Sequence, residues 1–269
     1  MDFGICLQSI IPVRREPDHR SELVTQILFG ELYRVLEGNN NWFQIRLAYD
    51  DYEGWIDGRH HQILEEQEFL RLFDAETPCS LDLVQLIQNE TKNSVFPVVA
   101  GSSLPGIEEF RFTVKGHIYV FDGQVSDLSE LEEVGSPQDL MDIKHTMIND
   151  AMLYLHAPYL WGGRSPFGID CSGLVQMVYK FKKVRLLRDA RQQSTQGEVV
   201  SLLDEAEPGD LGFFDDEEGN ITHVGLLIDR NRILHCSGKV RIDTIDHEGI
   251  YNDELQKYTH KLRLIKRVL

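Results

Sequence analysis

The sequence is poor in cysteine and has no CxxC pair: Cys6, Cys79, Cys171 and Cys236 are scattered over 269 residues. That spacing argues against a structural zinc site and against a disulfide-built scaffold. No HExxH occurs, and His60 and His61 are adjacent rather than one helical turn apart, which disfavours a metallopeptidase and leaves no metal site expected. No apolar run is long enough to span a bilayer. The opening MDFGICLQSIIPVRREP lacks the basic, then apolar, then small-residue order of a secretory leader. With Met1 as the start, a cytoplasmic protein is expected. Basic residues are scarce beside acidic ones, 27 against 44, for a net charge of −17. Such a surface repels phosphate backbones and anionic lipid, so neither nucleic acid nor membrane is an expected partner. What the chain does have is 42% apolar residues, enough for a packed core.

Residues 1–62 read as short strands separated by polar turns. Leu23–Phe29, Leu32–Leu36 and Trp42–Leu47 are strand-like, and the last alternates apolar with polar residues. Gly38-Asn39-Asn40-Asn41 forms the expected turn between them, and Tyr52–Ile56 closes the set. A small β-barrel follows. Residues 63–78 are expected to hold a linker helix, because ILEEQEFLRLFDA places apolar residues at helical spacing. Residues 79–135 are again β-rich, with strands at 95–99, 110–114 and 117–121. Ser136-Pro137 then precedes an amphipathic helix from about Leu140, opening a last region at 136–269.

That last region carries the chemistry. In PYLWGGRSPFGIDCSGLV, residues 158–175, glycines crowd before Cys171 and an apolar helical run follows it. A cysteine at a helix N-terminus has its thiolate favoured by the dipole and by free N–H groups, and a thiolate attacks carbonyls. A buried, inert cysteine is the ordinary alternative. Ten histidines are available as a base. His223 opens the apolar strand HVGLLI and His235 ends the next, RILHCSG, with Asp229-Arg230-Asn231 between them, a hairpin that sets both rings on one side.

YLWGGRSPFGIDCSGLV resembles the nucleophile motif of the NlpC/P60 cysteine peptidases. HVGLLID resembles their histidine strand, ILHCSG the strand of their third polar residue, and PGDLGFF the strand before the base. The resemblance covers about residues 140–269. It implies an α+β, papain-like catalytic domain, with Cys171 as nucleophile, His223 as base, His235 orienting it, and Tyr159 helping the backbone N–H of Cys171 to hold the oxyanion. Asp170 and Ser172 would meet polar parts of the substrate, Trp161 would wall the pocket, and LRDARQQ, with Asp189, would line the cleft, although Leu187 stands where the family has proline. No cofactor is implied. PVR, LFGELYRVLEG, NWFQIRL and GWID resemble a bacterial SH3 domain at 1–62, and 79–135 is expected to be a second, divergent SH3-like β domain.

Within the family, the chain resembles γ-D-glutamyl-L-diamino acid endopeptidases with an N-terminal SH3 domain. This implies a murein peptide, L-Ala-γ-D-Glu-diamino acid, as partner and substrate, and a role in peptide recycling. A free L-Ala ammonium needs an acidic partner; Glu22 in SELVTQ and Tyr52 in DYEGW stand at the matching positions. Two other readings stay open: a non-catalytic wall-binding protein, and a thiol amidase or acyltransferase on another amide.

Overall fold

The computed structural model describes residues 2–38, 41–131 and 133–269; Asn39 and Asn40, the middle of the expected turn, lie outside the described residues. The chain divides into two units, Met1–Leu128 with Trp161–Pro166, and Ser129–Leu160 with Phe167–Leu269.

In the first unit the alternating segments form the strands expected of them. They are β1 (Phe3–Ile5), β2 (Ile10–Arg14), β3 (Leu23–Leu28), β4 (Leu32–Gly38), β5 (Trp42–Leu47), β6 (Glu53–Asp57) and β7 (Ile63–Leu64), in the sheet order β3-β2-β6-β5-β4-β1-β7. Ile63 and Leu64 are therefore strand, paired antiparallel with β1, rather than the start of a helix. Helix α1 runs Glu66–Asp74. Its apolar stripe does more than link: Phe69 and Leu72 are buried in one core with Phe3, Ile5 and Phe29 on one side and Ile87, Val98, Phe112 and Tyr119 on the other. The latter belong to a four-stranded antiparallel sheet of β8 (Val84–Asn89), β9 (Ser94–Val99), β10 (Arg111–Val114) and β11 (His117–Phe121). Phe3 stacks on Phe69 with centroids 4.3 Å apart. Each such buried ring contributes about 1.5–3 kcal/mol.

The segment Trp161–Pro166, containing the short strand β12 (Arg164–Ser165), also belongs to this unit. Arg164 is fully buried and clamps Glu31 with both Nη atoms, at 2.8 and 2.9 Å, while its backbone N–H donates to Gln26 Oε1 at 2.7 Å. Gly162 lies at φ +74°, and a Cβ there would come within 2.5 Å of the Leu23 carbonyl oxygen. Only glycine allows both the turn and the approach.

The second unit opens with α2 (Pro137–Met152), three residues earlier than its apolar pattern suggests. Ser136 caps it by accepting from the Asp139 N–H at 3.2 Å, and Pro137 takes the position where no N–H is needed. Strand β13 (Gly168–Ile169) leads into α3 (Cys171–Phe181), a helix buried on nearly every face. Lys183, at φ +60°, ends it, with the Val184 N–H donating back to Tyr179 O at 3.0 Å. After α4 (Ala190–Gln193) come β14 (Glu198–Val200), β15 (Leu211–Asp215), β16 (Ile221–Leu227), β17 (Arg232–Ser237), β18 (Lys239–Ile245), β19 (Gly249–Asn252) and β20 (Lys257–Arg267). The antiparallel order is β14-β20-β15-β16-β17-β18-β19, and β19 pairs again with β20. Six strands thus close on themselves. Phe214, Leu227, Ile233, Ile245, Ile250 and Ile265 form a core cluster, and α3 packs against β16 and β17. A helix set against an antiparallel sheet is the expected α+β class. No helix among the described residues is long and apolar enough to cross a membrane.

Candidate active site

Asp170 starts α3. Its backbone is extended, and its Oδ1 accepts from the Gly173 N–H at 2.6 Å, which caps the helix and leaves Cys171 as its first residue. Both carboxylate oxygens are also gripped by Arg188, Nη1 to Oδ1 at 3.0 Å and Nη2 to Oδ2 at 2.6 Å, and Ser172 Oγ bridges the two side chains. Gln193 donates to Ser172 O and Leu187 O, at 3.0 and 2.8 Å. Asp170 and Ser172, expected to meet substrate, are thus buried with their polar atoms committed to holding the start of the helix. Asp189 caps α4, its own N–H donating to Gln192 Oε1 at 3.0 Å.

Cys171 is 7% exposed. Burial pushes its thiol up to about 12, and the Asp170 carboxylate adds to this; N–H groups of Val224 and Ser172 and the Arg188 guanidinium pull the other way without prevailing. Burial thus works against the thiolate-stabilising effect expected of the helix terminus.

The histidines stand on neighbouring strands. Gly225 on β16 is opposite His235 on β17, so His223, two residues earlier on the same face, sits diagonally across from it. A Cβ at Gly225 would lie 2.9 Å from the Cβ of His235, so the glycine gives the rings room. His223 Nε2 and His235 Nδ1 are 2.8 Å apart, and His235 Nε2 is 3.0 Å from Asp243 Oδ2. The network assigns the protons: Asp243 can only accept, so His235 carries its hydrogen on Nε2, accepts at Nδ1, and receives the Nε2–H of His223. The lone pair of His223 then lies on Nδ1. Burial, followed by the neighbouring His235 and His260 rings, holds His223 well below 6.5. Burial would raise the Asp243 carboxyl, but hydrogen bonds from His235 and Arg241 outweigh it and keep the group below its ordinary value.

Tyr159 is partly exposed, its backbone N–H donating to Gly238 O at 3.0 Å. Its phenol is pushed up by burial first and then by the negative charge that Cys171 and Asp170 can carry. Three other expected residues belong to the first unit. Trp161 donates from Nε1 to Glu22 Oε1 at 2.6 Å, and Arg15 pairs with Glu22 Oε2 at 2.7 Å. Glu22 lies in the open rather than in the buried setting expected of an ammonium clamp. Tyr52 packs against the barrel core formed by Ile11, Val13 and Ile45.

Sequence reasoning missed Asp243, Arg188 and His260. Asp243 keeps the apolar–polar alternation of VRID and is singled out only once β18 is paired with β17, which puts it on the face that meets His235. Arg188 lay one residue from the aspartate that was singled out. His260, on β20, stacks on His223 with centroids 4.1 Å apart, and only the closure of the sheet brings it there. One ring nitrogen from each of His223, His235 and His260 lies within 4.8 Å of the others.

A thiol at the start of a helix, an imidazole and a second imidazole anchored to a carboxylate can together transfer a proton and form a covalent acyl intermediate. Comparison with known proteins agrees. The NlpC/P60 family matches residues 156–262, and the bacterial dipeptidyl-peptidase Sh3 domain matches residues 13–60. The chain is similar to the gamma-D-glutamyl-L-lysine dipeptidyl-peptidase of Bacillus subtilis, 30% identical over 94% of this chain and 82% of that protein. It is 27% identical to dipeptidyl-peptidase 6 of Lysinibacillus sphaericus over 89% of this chain and 91% of the other. The fold matches that of an NlpC/P60 family protein from Bacillus cereus, with a TM-score of 0.81 at 19% identity over 99% of both chains. With an SH3 domain ahead of the Cys171 helix and the two-histidine sheet, the chain belongs to the NlpC/P60 family of peptidases.

Proposed function

We propose that the chain cuts the bond between γ-D-glutamate and the diamino acid of murein peptides that begin with a free L-Ala, releasing L-Ala-γ-D-Glu. The observation that carries the chemistry is the hydrogen-bonded chain His223–His235–Asp243, whose proton order leaves His223 Nδ1 as an acceptor. His223 Nδ1 takes the Cys171 proton as sulfur attacks the γ-carbonyl. The backbone N–H of Cys171, with Tyr159, receives the oxyanion. His223 then gives the proton to the departing diamino-acid amine, leaving an acyl-enzyme thioester. Water, deprotonated by His223, releases the dipeptide and restores the thiol.

The substrate class rests on the names of the relatives and on one acidic group. Glu22, held by Trp161 and Arg15, supplies a negative charge for the L-Ala ammonium, and Tyr52 is the second group proposed to receive it. Cleavage of short, already released peptides fits cytoplasmic recycling better than attack on intact wall. Mass spectrometry tests the cleavage and the amine requirement. Wild type and Cys171→Ala are incubated with L-Ala-γ-D-Glu-meso-diaminopimelate and with its N-acetylated form. Release of L-Ala-γ-D-Glu by wild type alone, from the free-amine peptide alone, is the expected result. Cleavage of both peptides removes the amine requirement, and cleavage of neither returns the wall-binding and acyltransferase readings.

A further inference from the structure

We propose that His223, His235 and His260 form a binding site for one zinc ion, and that the bound ion shuts off the peptidase. The shut-off rests on the function proposed above; the binding does not.

Three strands each contribute one imidazole, with a ring nitrogen of each inside a 4.8 Å triangle. His223 and His260 lie nearly parallel, at 26°, and His235 stands edge-on to both, at 88° and 82°. Peptide hydrolysis uses the first two rings and leaves His260 without a chemical task. Three imidazoles with an open fourth position form a donor set suited to zinc. The outer contacts are also those of a metal site. His235 gives its Nε2–H to Asp243, which directs the Nδ1 lone pair inward. His260 engages Thr259 Oγ1 through Nδ1 at 2.9 Å, leaving Nε2 for the ion. Zinc bound at about 2.0–2.1 Å spreads tetrahedral nitrogens by roughly 3.3 Å. The 2.8 Å pair of His223 and His235 opens slightly to match, and His260, the least buried of the three, swings inward.

One of the three rings also borders open space. His260 forms part of the wall of an open cleft that is also lined by Asp215, Asp216, Glu217 and Glu248. Four carboxylates raise the local concentration of a divalent cation at the only ring of the three that faces this cleft. Binding has a defined effect on the chemistry. Zinc takes His223 Nε2, whose proton leaves to solvent, and a proton from solvent occupies Nδ1. His223 stays neutral overall but has lost the lone pair that accepts the Cys171 proton.

Calorimetric titration of Zn²⁺ into the full chain, in a thiol-free reductant, tests binding. One ion per chain is expected. Cys171→Ala should hold it within threefold of the wild-type Kd, and His260→Gln should weaken it at least tenfold. Loss of binding in Cys171→Ala would place the ion on the thiol and overturn the site, as would unchanged binding in His260→Gln. Should His260→Gln fail to fold, imidazole nitrogen NMR shifts of the wild-type chain decide: all three rings must move on adding zinc, and a stationary His260 overturns the proposal. Peptide cleavage by wild type is expected to stop at saturating zinc, with His260→Gln needing at least tenfold more for half-inhibition. Full activity of the zinc-loaded chain overturns the shut-off. A wild type that cleaves no peptide without zinc fails the proposed function instead, and the titration still decides the site.

Discussion

Each unit buries an arginine against a carboxylate, but the two pairs have different neighbours. In the first, Arg164 holds Glu31 and Gln26, and the surroundings are barrel strands and a glycine turn. In the second, Arg188 holds Asp170, the residue immediately before Cys171. Removing one partner of such a pair strands a buried charge and costs about 3–5 kcal/mol in either place. The difference is in what moves with it. Loss of the first pair loosens a turn, whereas loss of the second frees the cap that fixes the first residue of α3.

The sharpest way to break this comparison is to delete both carboxylates in parallel. Glu31→Ala and Asp170→Ala should each lose about 3–5 kcal/mol in denaturant unfolding. Only Asp170→Ala should also lose on the order of 100-fold in kcat/KM under conditions where both chains remain folded. Equal activity losses would mean that the pair beside Cys171 holds nothing specific to chemistry. A smaller effect is expected at Asp243. Asp243→Asn lets either tautomer of His235 form, so kcat should fall about 10–100-fold while KM stays within twofold. A matching rise in KM would point to lost substrate binding rather than a lost proton order.

Two pH effects extend the contrast, because the second unit holds buried imidazoles. His260 is pushed down to about 4 by burial and by His235. Between pH 6.5 and 4 the unfolded chain therefore binds a proton that the folded chain refuses, and stability drops as pH falls through that window. After allowance for screening at this partly exposed ring, the loss is about 1–3 kcal/mol. His260→Gln should flatten the curve by that amount, as read from urea unfolding at pH 6.5 and 4. The smallest effect is on the rate profile. With His223 held well below 6.5, kcat/KM should change little from pH 7.5 down to 6.5; a midpoint at or above 6.5 would show that the ring is not buried in the way described.

The chemistry legible in the sequence was the part carried by short contiguous patterns. Asp170-Cys171-Ser172-Gly173 gave the helix start, and His223 and His235 were singled out among ten histidines by the resemblance of their strands to the family's motifs, with a hairpin to bring them together. Asp243 and His260 were hidden because their neighbours are set by strand register and sheet closure, which no local pattern contains. The burial of Cys171 was hidden for a related reason. Proximity to a helix terminus can be read from order along the chain, but the depth of burial depends on what packs over the thiol. In the first unit the strands of the barrel were legible from alternation, while α1 was taken for a connector because a helix of nine residues does not reveal that Phe69 and Leu72 face two sheets at once.

Strand β20 has a consequence for synthesis. It lies between β14 and β15 and also pairs with β19, yet it spans Lys257–Arg267, after every other strand. The sheet of the second unit cannot close until residue 267 has left the ribosome, whereas the seven- and four-stranded sheets of the first are complete by Phe121. Cys171, His223 and His235 are therefore translated well before the sheet that aligns them can close, so a nascent chain carries the side chains of a peptidase without the assembled site.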